Sequence, residues 1–238
     1  MEQIKERDGM TLPDSKAIRD AYRESTMRIQ TLGEEIANSI THGIGAVLSA
    51  AGLALLVVLA VLFGDTWRVV SLSIYGSTLI LLYLISTLYH GLTNIKAKRV
   101  FRILDHSSIF LLIAGTYTPV TLIYMRGPWG WTLFGLIWGL AAFGISFKLL
   151  FFGKYEKLSV LLYIIMGWLI VIAIKPMLVM LPDGMLLWIV LGGLSYTLGI
   201  IFYGLKRMPY HHTVWHLFVL GGSICHFFGM LFYTTASY

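Results

Sequence analysis

His212 and His216 stand four residues apart in the stretch "HHTVWHLF", at the head of a run that is otherwise apolar. On a helix, residues i and i+4 point to nearly the same side about one turn apart, so two imidazoles at this spacing can hold one ion. Three further polar patterns break apolar runs: Ser86 and His90 in "STLYH", Asp105 and His106 in "LDHSS", and Glu34, Asn38 and His42, every fourth residue of "EEIANSITHG". Three neutral imidazoles with an open fourth position describe a catalytic zinc site rather than a structural one. Cys225 is the single cysteine, so thiolate sites and intramolecular disulfides are excluded. His90, His212 and His216 are the candidate metal ligands. Asp105 is suited to hydrogen-bond a metal-bound water or to hold a ligand imidazole, and the Ser86 hydroxyl falls beside His90.

The other histidines rank lower. His211 is turned by about 100° from His212 and reads as interfacial. His226 lies about 21 Å further along the same helix, too deep to join, and with Cys225 reads as a packed or hydrogen-bonded core residue. His106 faces away from Asp105 and is at most a support for the ligands. Any one of these patterns is common by chance. Their weight depends on whether the elements that carry them bring them to one depth.

Those elements are membrane helices. Hydrophobic residues make up 57% of the 238 and charged residues 13%, against about 25% charged in ordinary soluble domains. A soluble domain of this size could not hide that much apolar surface, whereas a bilayer takes it as solvent. Seven apolar segments cover 38–62, 68–91, 102–124, 130–151, 157–177, 184–205 and 212–235, joined by short connectors, with no repeat or second domain among them. The chain reads as an all-α, seven-helix membrane domain over 34–238 preceded by a charged segment, 1–33. That segment has no signal-peptide pattern; "SKAIRDAYRESTMRIQ" within it has helical spacing suited to the membrane surface.

Of the 18 Lys and Arg residues, 15 lie in the N-terminal segment and the second, fourth and sixth connector regions; the other side has Arg68, Arg126 and Lys175. By the positive-inside rule this predicts a cytoplasmic N-terminus and a C-terminus outside. The net charge of +6 is therefore a topology signal; no basic stripe interleaved with aromatics points to nucleic acid. With that orientation, segments 1, 2, 3 and 7 bring their polar residues to the same, cytoplasmic depth. Ionisable groups in membrane helices are costly and face a shared interior or cavity. Gly135 and Gly139, Gly192–Gly193 and Gly221–Gly222 are expected to let helix backbones approach closely, and Pro119 to loosen the third helix and free nearby carbonyls.

The three motifs together, E-x3-N-x3-H (Glu34, Asn38, His42), S-x3-H (Ser86, His90) and H-x3-H (His212, His216), in this order on segments 1, 2 and 7, resemble the progestin and adipoQ receptor superfamily. "LDHSSIFLLIAGTYTP" (104–119) is similar to the signature of its bacterial branch, the hemolysin III-like proteins. The resemblance runs over about residues 33–236. It implies a seven-helix fold in the bacterial cytoplasmic membrane with a cytoplasmic N-terminus. It also implies zinc near the cytoplasmic side on His90, His212 and His216, with Asp105 at about the position of the acidic residue near the zinc water. Glu34, Asn38, His42 and His106 are then expected to support the ligands rather than to hold the ion. The wider superfamily is associated with ceramide hydrolysis, and its bacterial members with membrane-lipid and energy homeostasis and, by name, with cell lysis.

Three functions follow as expectations. The first is a zinc-dependent hydrolase of a lipid amide or ester, ceramidase-like, with Asp105 as general base and Ser86 as oxyanion donor. The second is a non-enzymatic sensor or regulator of membrane state in which zinc braces helices 2, 3 and 7. The third and weakest is a pore, since no segment carries a continuous polar stripe. Membrane lipids are the expected partners in each.

Overall fold

The computed structural model describes residues 30–151 and 153–235. Seven helices in it are long and apolar enough to cross a membrane: α1 Leu32–Phe63, α2 Thr66–Gly91, α3 Ile95–Tyr124, α4 Pro128–Leu150, α5 Glu156–Met180, α6 Met185–Gly204 and α7 His211–Thr234. The sequence segments correspond to these one for one. The expected surface helix over 15–30 falls, but for its last residue, outside the described residues.

Two helices start well before their apolar windows. α1 begins at Leu32, with Glu34 and Glu35 in its first turn, where acidic side chains complement the positive end of the helix dipole. At 32 residues it is about 48 Å long, more than the ~30 Å hydrocarbon core requires, so its charged first turns extend beyond that core. α3 begins at Ile95, where the Asn94 side chain accepts a hydrogen bond from the Ala97 N–H at 3.1 Å. The basic turns Lys96 to Arg102 are thus helical, although hydropathy does not register them. Asp65 caps α2 in the same way through the Arg68 N–H.

α3 is the most buried helix and α2 the next, whereas α1, α5 and α6 turn most of their surface outward. Val47, Leu48, Val58, Leu178 and Val179 are among the exposed aliphatic residues, an arrangement that suits lipid and not water. The interior centres on Leu72, Tyr75, Leu79, Leu82, Leu112, Val219 and Met230, with a second cluster around Phe110, Ala114, Ile137 and Met166.

Small residues set the close approaches, in part as expected. Gly222 lies under the Tyr196 ring and Gly192 under the His226 ring, Gly45 faces Tyr83, and Gly144 faces Phe110. Gly135 and Gly139 do not behave as expected: no atom comes within 4 Å of where their Cβ atoms would be. Both sit on the exposed face of α4, so among the described residues they pack against no other helix.

Pro119 ends the regular part of α3, and Val120–Tyr124 continue as a π-helical turn. Hydroxyls bond back to carbonyls around the kink: Thr118 donates to Ala114 O at 2.9 Å and Thr121 to Tyr117 O at 3.0 Å. α5 is also interrupted, by a 3-10 turn over Leu169–Ala173 just ahead of Pro176, which lacks the N–H a regular helix needs there. The Tyr117 hydroxyl satisfies the break. It is shared between the Met166 and Gly167 carbonyls and accepts the Ile170 N–H at 2.9 Å.

Candidate metal centre

Short connectors place the end of α2, the third turn of α3 and the start of α7 at one end of the bundle. His90 comes from the last turn of α2, and His212 and His216 from the first two turns of α7. One ring nitrogen from each of the three lies within 4.8 Å of the others. The ring centroids are 4.6 to 5.2 Å apart. His90 and His216 are buried.

The surroundings fix which nitrogen of His90 is available. Its Nδ1 lies 2.8 Å from Glu35 Oε2, and Glu35 in turn pairs with Lys98 at 2.8 Å. Nε2 is buried with no hydrogen-bond partner. A buried imidazole held by a carboxylate at one nitrogen and unsatisfied at the other is the donor arrangement seen around protein-bound metals. The three histidines therefore fit an ion. Glu35 is not part of the E-x3-N-x3-H pattern, and the sequence reading passed over it in favour of Glu34.

The residues of that pattern strap α1 to the head of α7. Glu34 Oε1 accepts the Tyr210 N–H at 2.9 Å, where Tyr210 adopts a left-handed conformation (φ 54) just before the helix. Asn38, wholly buried, accepts from the Thr213 hydroxyl at 2.6 Å. Thr41 lies 3.4 Å from His216 Nδ1. His42 stacks face to face on the His216 ring, with centroids 3.4 Å apart. These contacts follow one face of α1 at intervals of three or four residues, which is why the motif repeats every four. Thr41 and His42 bear on the His216 ring, and His42 is not one of the three histidines grouped above.

Asp105 and Ser86 are buried and line the same cavity as His212 and His216. His106, one residue on, also lines this cavity. His211 Nδ1 faces the Phe202 carbonyl at 3.3 Å. His226 Nε2 faces the Ile189 carbonyl at 3.2 Å, with its ring edge-on to Tyr196, and neither joins the group of three.

The cavity encloses about 160 Å³. At the histidine end its wall carries Ser86, Asp105, His212 and His216, and facing them from α4 and α5, Lys148 and Glu156. Deeper, the wall is mainly apolar, with Leu112, Val120, Ile170, Ile189 and Met230 beside Thr116, Thr197 and His226. Lys148 Nζ lies 2.7 Å from Glu156 and 3.4 Å from Ser159. In the sequence, Lys148 is one of the basic residues of the fourth connector region. Only the meeting of α4 with α5 turns it inward.

Known proteins match over nearly the whole chain. The family described as Haemolysin-III related matches residues 30–227. "Hemolysin-3" of Bacillus cereus is 50% identical over 208 residues, covering 87% of this chain and 95% of that one. The "Hemolysin-3 homolog" of Bacillus subtilis is 48% identical over 203 residues, 85% and 95% of the two chains. The human "Monocyte to macrophage differentiation factor" is 30% identical over 206 residues, 84% of each. With these matches and its seven spanning helices, the chain belongs to the haemolysin-III-related family of multi-pass membrane proteins.

Proposed function

We propose that this protein is a zinc-dependent hydrolase acting on the amide or ester bond of a membrane lipid. The observation that carries the reading is the His90–His212–His216 group, two of whose rings, His212 and His216, share the wall of one amphipathic cavity with Asp105 and Ser86. Three imidazoles without a thiolate suit zinc among the common divalent ions. Bound zinc supplies Lewis acidity, which polarises a carbonyl and brings the pKa of water toward about 7.

The chain's own groups do the rest. His90, His212 and His216 hold the ion, and Glu35 fixes the His90 ring through Nδ1. The Asp105 carboxylate takes the proton of the attacking water, and the Ser86 hydroxyl donates to the developing oxyanion. The apolar wall receives the lipid tail and keeps bulk water from the polar end. The charge count supports a cytoplasmic side for that end, at the depth where a lipid's head meets its tail.

A second reading has one observation in its favour. The candidate ligands come from α2 and α7, and the Glu34–Asn38–His42 strap joins α1 to the head of α7, so an ion there would tie α2 to α7 beside that strap. In that case the protein is a sensor or regulator of membrane state. Lipid analysis of membranes incubated with the purified protein, with and without chelator, separates the two. A chelator-sensitive loss of one lipid class with a gain of its fragments supports the hydrolase, and unchanged lipids favour the brace.

A further inference from the structure

The deeper end of the cavity carries a polar atom that the metal reading does not use. His226 stands ten residues past His216 on α7, about 15 Å further along the helix, and both rings line the cavity. His226 is only 7% exposed. Its Nε2 lies 3.2 Å from the Ile189 carbonyl, and Gly192 packs under the Nε2–Cδ2 edge of the ring. Contact with α6 thus fixes the tautomer. A carbonyl can only accept, so Nε2 carries the proton of the neutral ring and Nδ1 is an acceptor. That Nδ1 is buried with no hydrogen-bond partner.

Other polar side chains on the same wall are committed within the protein. Thr116 donates to the Leu112 carbonyl at 2.8 Å and Thr197 to the Gly193 carbonyl at 2.7 Å. The Trp168 indole donates to Thr197 at 3.0 Å, and the Tyr196 hydroxyl pairs with Ser223 at 2.9 Å. His226 Nδ1 differs from all of these. A buried acceptor left unpaired costs free energy until something donates to it. A plain aliphatic tail offers it nothing, whereas a hydroxyl on the tail supplies the missing donor. The length of α7 between the two histidines says where that hydroxyl belongs. At roughly 1.2 Å per bond, about twelve carbons of an extended chain reach from His216 to the depth of His226.

We propose that the cavity takes an amphiphile whose tail carries a hydroxyl about twelve carbons from its head, and that this hydroxyl donates to His226 Nδ1. The favoured substrates are then lipids with a hydroxylated acyl or alkyl chain. That consequence rests on the hydrolase reading above; the tail site itself does not, and is tested by binding alone.

The test is native mass spectrometry of the full chain in micelles. The probes are 1-O-dodecylglycerol, 1-O-(12-hydroxydodecyl)glycerol and 1-O-(6-hydroxydodecyl)glycerol, which carry no charge and no amide or ester bond. The two hydroxylated isomers have the same groups, so the cost of drying the hydroxyl is shared and its position is what differs. The wild type should bind the 12-hydroxy isomer about tenfold more tightly than the 6-hydroxy isomer, the effect of one hydrogen bond to a group otherwise left unpaired. His226→Phe keeps an aromatic ring against Gly192 and removes the acceptor. It should bind 1-O-dodecylglycerol as before and no longer distinguish the isomers. Equal binding of the isomers by the wild type, or a difference that survives His226→Phe, would overturn the tail site. Chelator-treated protein should still distinguish them, because His226 lies outside the group of three. A difference lost on chelation would place the preference at the metal and also overturn the site. Membrane lipids left intact by a protein that still distinguishes the isomers would remove the hydrolase and leave the tail site standing.

Discussion

At the scale of single residues, the division of labour around the three histidines can be tested by separating metal content from turnover. His212→Ala or His216→Ala should lose most of about one equivalent of zinc, measured by elemental analysis of purified protein, and unfold at lower temperature because bound metal stabilises the folded state. His211→Ala should keep the metal, since that ring turns to the Phe202 carbonyl. Glu35→Gln should weaken zinc affinity by about 10- to 100-fold, the usual cost of losing the group that orients a ligand imidazole. Asp105→Asn and Ser86→Ala should fold and bind zinc, yet lose about 10²–10⁴ and 10²–10³ in hydrolysis rate respectively. Full activity in both, alongside loss in the histidine variants, would make the ion a brace and remove the enzyme reading.

Helix contacts decide which small and polar residues matter at the scale of elements. Asn38→Leu removes the acceptor of the Thr213 hydroxyl in a fully buried position. It should cost about 1–3 kcal/mol, with α7 loosened and metal retention falling as a consequence. Two glycine substitutions on α4 should differ sharply. Gly144→Val drives side-chain atoms into the Phe110 ring, and Gly135→Val meets open space. The first should lower thermal stability by about 1–3 kcal/mol, and the second should stay within about 0.5 kcal/mol of the wild type. A shared effect of both would mean that the exposed face of α4 is covered in the membrane.

For the whole molecule, the prediction is orientation. Fifteen of 18 basic residues lie on one side of the seven segments. A reporter fused before α1 should therefore read cytoplasmic and one fused after Tyr238 should read outside. A cytoplasmic reading after Tyr238 would contradict this orientation and move the histidine end of the cavity to the other face of the membrane.

Much of this protein is legible in one dimension, and the reason is the bilayer. A helix must satisfy its own backbone in hydrocarbon, so seven apolar runs become seven helices, and the costly polar residues within them mark the interior. The i,i+4 spacing of His212 and His216 and the shared depth of His90 and Asp105 follow from helix geometry alone. Tertiary structure decided which faces meet. Glu34 and Glu35 are neighbours in sequence with equal chemistry, yet a rotation of about 100° sends one to the head of α7 and the other to the His90 ring. Gly135 and Gly139 have a packing motif's spacing but no partner helix among the described residues, because α4 turns that side outward. Lys148 and Glu156 read as connector charges until α4 and α5 fold them onto the cavity wall. Periodicity says which residues share a side of one helix; what that side touches depends on how seven helices fill space together.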